Sequence, residues 1–278
     1  MHTTSGHLRF LVRATLQQAR SLVRNELLPT MEGSLSVVWS QMKEAAIKFA
    51  QANGNAEPRL PRLVAVSKTK PISVIAEAYS YGQRCFGENY VKELAEKSKA
   101  IEDNGGLEEI QWHFIGHLQK NKVNNLCSVT NLALVETVDS VKIADTLNRS
   151  WGRLQGDRKL KIFVQVNTSG EENKYGCNTM EECIELVNYV HANCPSLQFT
   201  GLMTIGALAR SHSTNANQDF LTLVSYRSEV CKHFAIPTED VELSMGMSAD
   251  FEEAILAGST NIRVGSTIFG QRENQHKS

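Results

Sequence analysis

Lys68 ends the run Leu63-Val64-Ala65-Val66-Ser67-Lys68, an apolar, β-prone segment that carries an amine to its edge. Partial desolvation lowers a lysine below its usual pKa of about 10.4 and frees the amine to attack an aldehyde. The ordinary alternative is a solvated surface lysine, and Lys70 is read that way. A second cluster comprises Ser244-Met245-Gly246-Met247-Ser248 and Arg263-Val264-Gly265-Ser266. Gly246 and Gly265 let backbone N–H groups approach an anion closely, because no Cβ intervenes. Ser248 is expected to open a helix over Ala249–Ala257, whose N–H groups and dipole favour a phosphate. Gly and Ser are also common turn and capping residues, so neither cluster decides anything alone.

The elements that must position these groups follow from the hydrophobic pattern. Ser36 to Asn53 reads as a helix, with Ser36 as N-cap and Asn53-Gly54 as its stop. Strands are then expected at Leu63–Ser67, Arg84–Glu88, Trp112–Gly116, Leu134–Val138, Lys161–Asn167, Phe199–Ile205, Val241–Ser244 and Asn261–Phe269. Helical segments are expected between them, at Ile72–Tyr81, Val91–Asp103, Leu118–Cys127, Val141–Arg149, Met180–Ala192, Gln218–Phe234 and Ala249–Ala257. Near-continuous apolar strands are those covered on both faces, as in a parallel sheet. Eight strands in strict alternation with helices predict a (β/α)₈ TIM barrel, with an open doubly wound sheet as the alternative. Functional groups of such a barrel cluster at the C-terminal ends of the strands, and its usual phosphate site follows strands seven and eight. Lys68 at the first strand and the Gly/Ser cluster at the last two therefore face one mouth. An aldehyde-bearing phosphate ester satisfies both, and pyridoxal phosphate (PLP) is one such molecule. Arg263 could then face the ring nitrogen; a guanidinium stays charged, keeps that nitrogen unprotonated and weakens the ring as an electron sink.

Composition narrows the class. Lys and Arg number 29 against 30 Asp and Glu, which gives no electrostatic reason to expect nucleic acid or an acidic membrane as partner. No uninterrupted apolar stretch suffices to span a bilayer, so a protein in solution is expected. The six cysteines form no C-x-x-C pair, which reads as reduced, mostly buried thiols. His113 and His117 have the spacing of some zinc ligands, but Trp112–Gly116 reads as a strand and no metal is expected. Before Glu26 there is no acidic residue, while Arg9, Arg13, Arg20 and Arg24 flank an apolar stripe from Leu8 to Val23. Two readings stay open for residues 1–35: a transit peptide, or an extension upstream of a second start at Met31. The expected organisation is that extension, one barrel domain over 36–272 and a tail over 273–278. The expected location is the cytoplasm, or the mitochondrion if the extension is a transit peptide.

Combined with Phe86-Gly87-Glu88-Asn89-Tyr90, Trp112–Gln119 and Gly201–Ile205, these motifs resemble those of the pyridoxal phosphate homeostasis protein family, the YggS/PROSC type. The resemblance runs from about Ser36 to Arg272. It implies a single barrel similar to the N-terminal domain of alanine racemase, with PLP as a Schiff base on Lys68. Asn89 would lie near the ring, Met203 beside it and Arg263 near its nitrogen. Ser244, Gly246, Met247, Ser248, Gly265 and Ser266 would hold the phosphate; Ser266 stands where many members carry Thr, so the hydroxyl is kept. The family has no established catalytic activity and is implicated in vitamin B6 balance.

Three functions follow from a Schiff-base lysine opposite a phosphate cradle. The first is a non-enzymatic PLP carrier, expected to be a monomer, with apo PLP-dependent enzymes as recipients. The second is an amino-acid racemase, which needs an acid/base on the cofactor's second face. In alanine racemase a second domain supplies that tyrosine. Here Ser278 follows soon after strand eight and Tyr90 and Tyr175 are the nearest candidates, so binding is favoured. The third is an aldolase, which would be colourless where a PLP protein is yellow.

Overall fold

The structure is a computed structural model that describes residues 30–54, 57–207 and 217–271. The Arg-flanked stripe from Leu8 to Val23 and the tail over 273–278 lie outside the described residues. Eight parallel strands close on themselves in chain order: β1 (Arg62–Val66), β2 (Cys85–Glu88), β3 (Gln111–Phe114), β4 (Leu132–Val138), β5 (Leu160–Gln165), β6 (Leu197–Met203), β7 (Glu242–Ser244) and β8 (Asn261–Val264). β8 returns to β1 from Arg62 against Asn261 to Ala65 against Val264, so this sheet keeps no open edge. Around it lie α1 (Met31–Ala52), α2 (Ile72–Ser80), α3 (Val91–Asn104), α4 (Val123–Cys127), α5 (Val141–Gln155), α6 (Met180–Asn193), α7 (Gln218–Phe234), α8 (Phe251–Leu256) and the single turn α9 (Ser266–Phe269). No helix among the described residues is long and apolar enough to cross a membrane.

The sequence pattern explains where each layer buries itself. On α1, Leu35, Val38, Met42, Ala45 and Ala46 are buried at helical spacing and pack it against α8 and α9. Burying Leu35 and Val38 completely contributes about 1.5–3 kcal/mol each. This helix starts at Met31, where Thr30 accepts a hydrogen bond from the Gly33 N–H at 3.1 Å, and not at the expected Ser36.

Alternation along the strands splits the interior in two. Trp112, Phe114, Val135, Leu202, Leu243 and Ile262 join the large core between barrel and helices. Leu134, Phe163 and Met203 form a separate small cluster inside the barrel. Phe163 can fill that space because residue 201 is glycine. A Cβ there would stand 2.8 Å from the Phe163 ring and 2.5 Å from the Glu242 carbonyl. Beside Val64, much of the remaining lumen is polar. His113, Glu136, Ser244, Asn261 and Arg263 are all buried, where a barrel interior commonly holds branched apolar side chains.

Further element boundaries differ from the sequence-based expectation, three of them near the C-terminal ends of the strands. β8 stops at Val264 because Gly265 and Ser266 begin the α9 turn, so Ile268 and Phe269 are helical. The segment from Leu118 to Cys127 holds a 3₁₀ turn, Lys120–Lys122, followed by the short α4. Helix α8 starts at Phe251 with Asp250 as its N-cap residue, two residues after the expected Ala249.

Candidate functional site

A cavity of about 400 Å³ opens at the C-terminal ends of the strands, within the roughly 300–1,000 Å³ of small-molecule sites. Lys68, Asn89 and Met203 line it from β1, β2 and β6; Met247, Ser248, Arg263, Gly265 and Ser266 line it from β7 and β8. Ser244 and Gly246, expected at the same anion site, do not line it. Ser244 is fully buried in the lumen, where its hydroxyl donates to Glu136 and accepts from Asn261 and Arg263. Gly246 has φ +93°, and a Cβ there would meet the Ala254 Cβ at 2.5 Å, so this glycine lets β7 press onto α8.

Ser248 also differs from its expected capping role: its Oγ accepts from the Gly265 N–H at 3.1 Å and ties the two loops together. The carboxylate of Asp250 takes the Met247 N–H at 2.6 Å, and Glu252 and Glu253 follow in the first turn of α8. That concentration of acid makes this helix start a poor place for an anion. Donors for one lie instead at the start of α9, where the N–H groups of Ser266 and Thr267 are among those a helix leaves without internal partners. The hydroxyls of Ser248 and Ser266 stand on the same wall.

Lys68 is half-buried and sits in a turn closed by the Lys70 N–H to the Ser67 carbonyl at 3.0 Å. Thr69 in this turn has φ +64°, a left-handed conformation costing a branched residue about 1–2 kcal/mol. Its N–H donates to Glu93 Oε1 at 2.6 Å. Lys97 Nζ holds Glu93 Oε1 at 2.6 Å, Glu88 Oε1 at 2.7 Å and the Ser67 carbonyl at 2.9 Å. The Ser67 hydroxyl donates to the same Glu88 oxygen at 2.7 Å. Burial pushes the Glu88 carboxyl up, against the opposing pull of Lys97 and Ser67. Lys70 is not the solvated lysine expected: it lines the cavity and donates to the Phe269 carbonyl at 2.7 Å.

Arg263, only 4% exposed, donates through Nη1 to Ser244 Oγ at 2.5 Å and through Nη2 to the Thr204 carbonyl at 2.7 Å. Ser244 donates to Glu136 Oε2 at 2.5 Å, and His113 Nδ1 bonds Glu136 Oε1 at 2.7 Å. Asn261 Nδ2 bridges both carboxylate oxygens at 3.2 and 3.3 Å. Burial alone would raise Glu136, but His113, Arg263 and Ser244 outweigh it and hold the carboxyl below its usual range. Burial likewise opposes a charge on His113, yet bonds with Cys85 and Glu136 lift the imidazole to about 9. Burial lowers Arg263, while Glu136 and Asp250 act to keep it charged.

These supporting residues escaped the sequence reading, although some left a signal. Glu136 is a carboxylate in the middle of an apolar strand, and Glu93 and Lys97 have the i, i+4 spacing of a helical pair. His113 and His117 serve different partners, Glu136 and Asp139. Tyr90 and Tyr175 are exposed and line no part of the cavity; Tyr175 stacks on His117 with centroids 3.5 Å apart. In the loop 170–176, Lys174 Nζ donates to the Gly206 carbonyl at 2.6 Å.

Comparison with known proteins gives the same architecture and narrows it to one family. The family described as alanine racemase, N-terminal domain, matches residues 46–273. The human pyridoxal phosphate homeostasis protein is 55% identical over 217 residues, 78% of each chain. PipY of Synechococcus elongatus, 31% identical, has been solved without and with PLP. Those structures superpose with TM-scores of 0.70 and 0.65, over 87% and 81% of this chain and all of PipY. Alanine racemase from Bacillus anthracis shares the fold at 14% identity and a TM-score of 0.57, over 85% of this chain and 57% of the racemase. The chain belongs to the pyridoxal phosphate homeostasis protein family and has the barrel of the alanine racemase N-terminal domain.

Proposed function

We propose that this chain binds pyridoxal 5'-phosphate reversibly, as a Schiff base on Lys68, and acts in vitamin B6 homeostasis as a carrier and not as a catalyst. The observation that carries this reading is the meeting of Lys68, Arg263 and the Ser248–Gly265–Ser266 wall in one cavity. The cavity fits the cofactor in a further respect. Asn89 lines it, and its Oδ1 is buried without a hydrogen-bond partner, a costly state that a polar ligand atom would relieve. PipY, solved with PLP bound, and the human relative named for PLP homeostasis support the choice of ligand.

When bound, PLP supplies an electrophilic aldehyde and a ring that can act as an electron sink. Lys68 provides the amine, oriented by the turn that Glu93 and Lys97 hold. The β7–β8 wall provides N–H and hydroxyl donors for the phosphate. Arg263, in the cavity lining, would present its positive charge to the ring and so favour an unprotonated nitrogen. Among the described residues, the lining holds no carboxyl, imidazole, phenol or thiol, and its amines are Lys68 and Lys70, the latter bonded to the Phe269 carbonyl. Binding is thus better served than two-sided proton transfer, which needs a second positioned acid or base. A reactive aldehyde kept on Lys68 is shielded from stray amines until an apo PLP-dependent enzyme takes it up.

Borohydride reduction of the PLP-loaded protein, digestion and mass spectrometry test the assignment. A pyridoxyl-phosphate adduct is expected on the peptide containing Lys68; an unmodified peptide from loaded protein sinks it. Lys68→Ala should abolish the visible absorbance while the phosphate wall retains part of the affinity.

A further inference from the structure

The polar lumen below the cavity is not explained by binding a cofactor at the mouth. Glu136 and His113 do not line the cavity, yet they occupy the barrel axis where apolar packing would cost less. The carboxylate has both oxygens engaged. Oε1 faces His113 and Oε2 faces Ser244, and Arg263 Nη1 lies 4.0 Å from Oε2. Arg263 is thereby fixed between the Ser244 hydroxyl and the Thr204 carbonyl, with an acceptor on each Nη. A guanidinium so held presents one orientation to the cavity, and its charge is partly offset from below.

Resting on the PLP reading above, we propose that Glu136 and His113 are positioning residues that act through Ser244 to set the orientation and effective charge of Arg263 toward the ring. The pair is a dipole with its negative end at Arg263. Removing the carboxylate leaves the arginine less offset, and the site becomes more positive. Removing His113 alone leaves the carboxylate unopposed, and the site becomes more negative. The two changes therefore act in opposite directions on a cofactor linked to Lys68, which a generally loosened barrel does not do.

Glu136→Gln, His113→Gln and Ser244→Ala, each loaded with PLP, test this by affinity and by absorption spectra across pH. Glu136→Gln should weaken PLP binding by up to about tenfold, through the loosened hold on Arg263 and not through a lost contact to the cofactor. The pH midpoint of the visible band should move down in Glu136→Gln and up in His113→Gln, each by on the order of half a pH unit. Glu136→Asp should return part of the wild-type spectrum. Ser244→Ala removes only the hydroxyl link and decides the matter if the charge variants fail to fold; it should weaken PLP in the same direction as Glu136→Gln. Wild-type affinity and spectra in the folded variants overturn the positioning role alone. A wild-type protein that shows no PLP band sinks the binding reading, and the positioning role with it.

Discussion

Glu88 and Glu136 are both fully shielded from solvent, and their surroundings drive their ionisation in opposite directions. Burial is the largest influence on each and raises both. The difference lies in how the oxygens are used. On Glu88, Lys97 and Ser67 both bond Oε1, and Oε2 is left buried without a partner. Glu136 has donors on both oxygens and a buried cation nearby on either side. One carboxyl is thus held up and the other down. Geometry, not depth, decides the direction in which each of two equally buried acids is shifted. The same contrast divides the site: the Glu88 cluster braces the turn of Lys68, whereas the Glu136 cluster sits under Arg263.

Truncating the better satisfied acid gives the largest expected effect. Glu136→Ala leaves His113 and Arg263 buried without their shared carboxylate and should destabilise the PLP-free protein by about 3–5 kcal/mol. Urea unfolding measures it. A loss below about 1 kcal/mol would mean the lumen tolerates uncompensated cations, and the contrast with Glu88 would collapse.

The next effect is visible without removing the carboxylate. His113 is raised to about 9 in the folded protein from its ordinary value of 6.5. Its contribution is complete below about pH 6.5 and is lost as pH rises through about 9. Stability should therefore fall across that interval by roughly 3 kcal/mol. Glu136, held below its usual range, contributes above the ordinary carboxylate pKa and loses that contribution as acid protonates it. The groups interacting with the pair include Arg263, Ser244, Asn261 and Cys85, with Arg62 in its electrostatic reach. His113→Gln should flatten the alkaline slope while leaving an acid limb. An unchanged alkaline slope in that variant assigns it to another group.

Much of this architecture was legible because strand periodicity and C-terminal polar residues are local signals. Lys68 and the Gly265-Ser266 step lie at strand ends, and both reach the cavity. The two networks were not legible, because each assembles residues from separate elements. Glu136 meets His113, Ser244 and Asn261 only when β3, β4, β7 and β8 close the lumen. Ser244 looked like a cavity residue for the same reason: its position at the strand end was readable, but its inward contacts were not. Ser36 is itself a good capping residue, which hid the earlier helix start that Thr30 caps. At the other end, apolar Ile268 and Phe269 extended the apparent β8 strand past the turn begun at Gly265.

The smallest effect is expected at the less satisfied acid. In Glu88→Gln the side-chain carbonyl can still accept from Ser67 and Lys97, and Lys97 keeps Glu93 and the Ser67 carbonyl. The amide replaces an oxygen that already lacked a partner. Lost attraction to Lys97 is offset by no longer burying a carboxylate, so the change should be under about 1 kcal/mol. A carboxyl raised in the folded state costs stability as pH climbs through its titration range. The variant should therefore compare more favourably with wild type at neutral pH than in acid. Paired urea titrations at two pH values measure both quantities. A loss above about 2 kcal/mol at neutral pH would show that the attraction of Lys97 outweighs the cost of burying the Glu88 carboxylate. In that case the two buried acids would be alike after all.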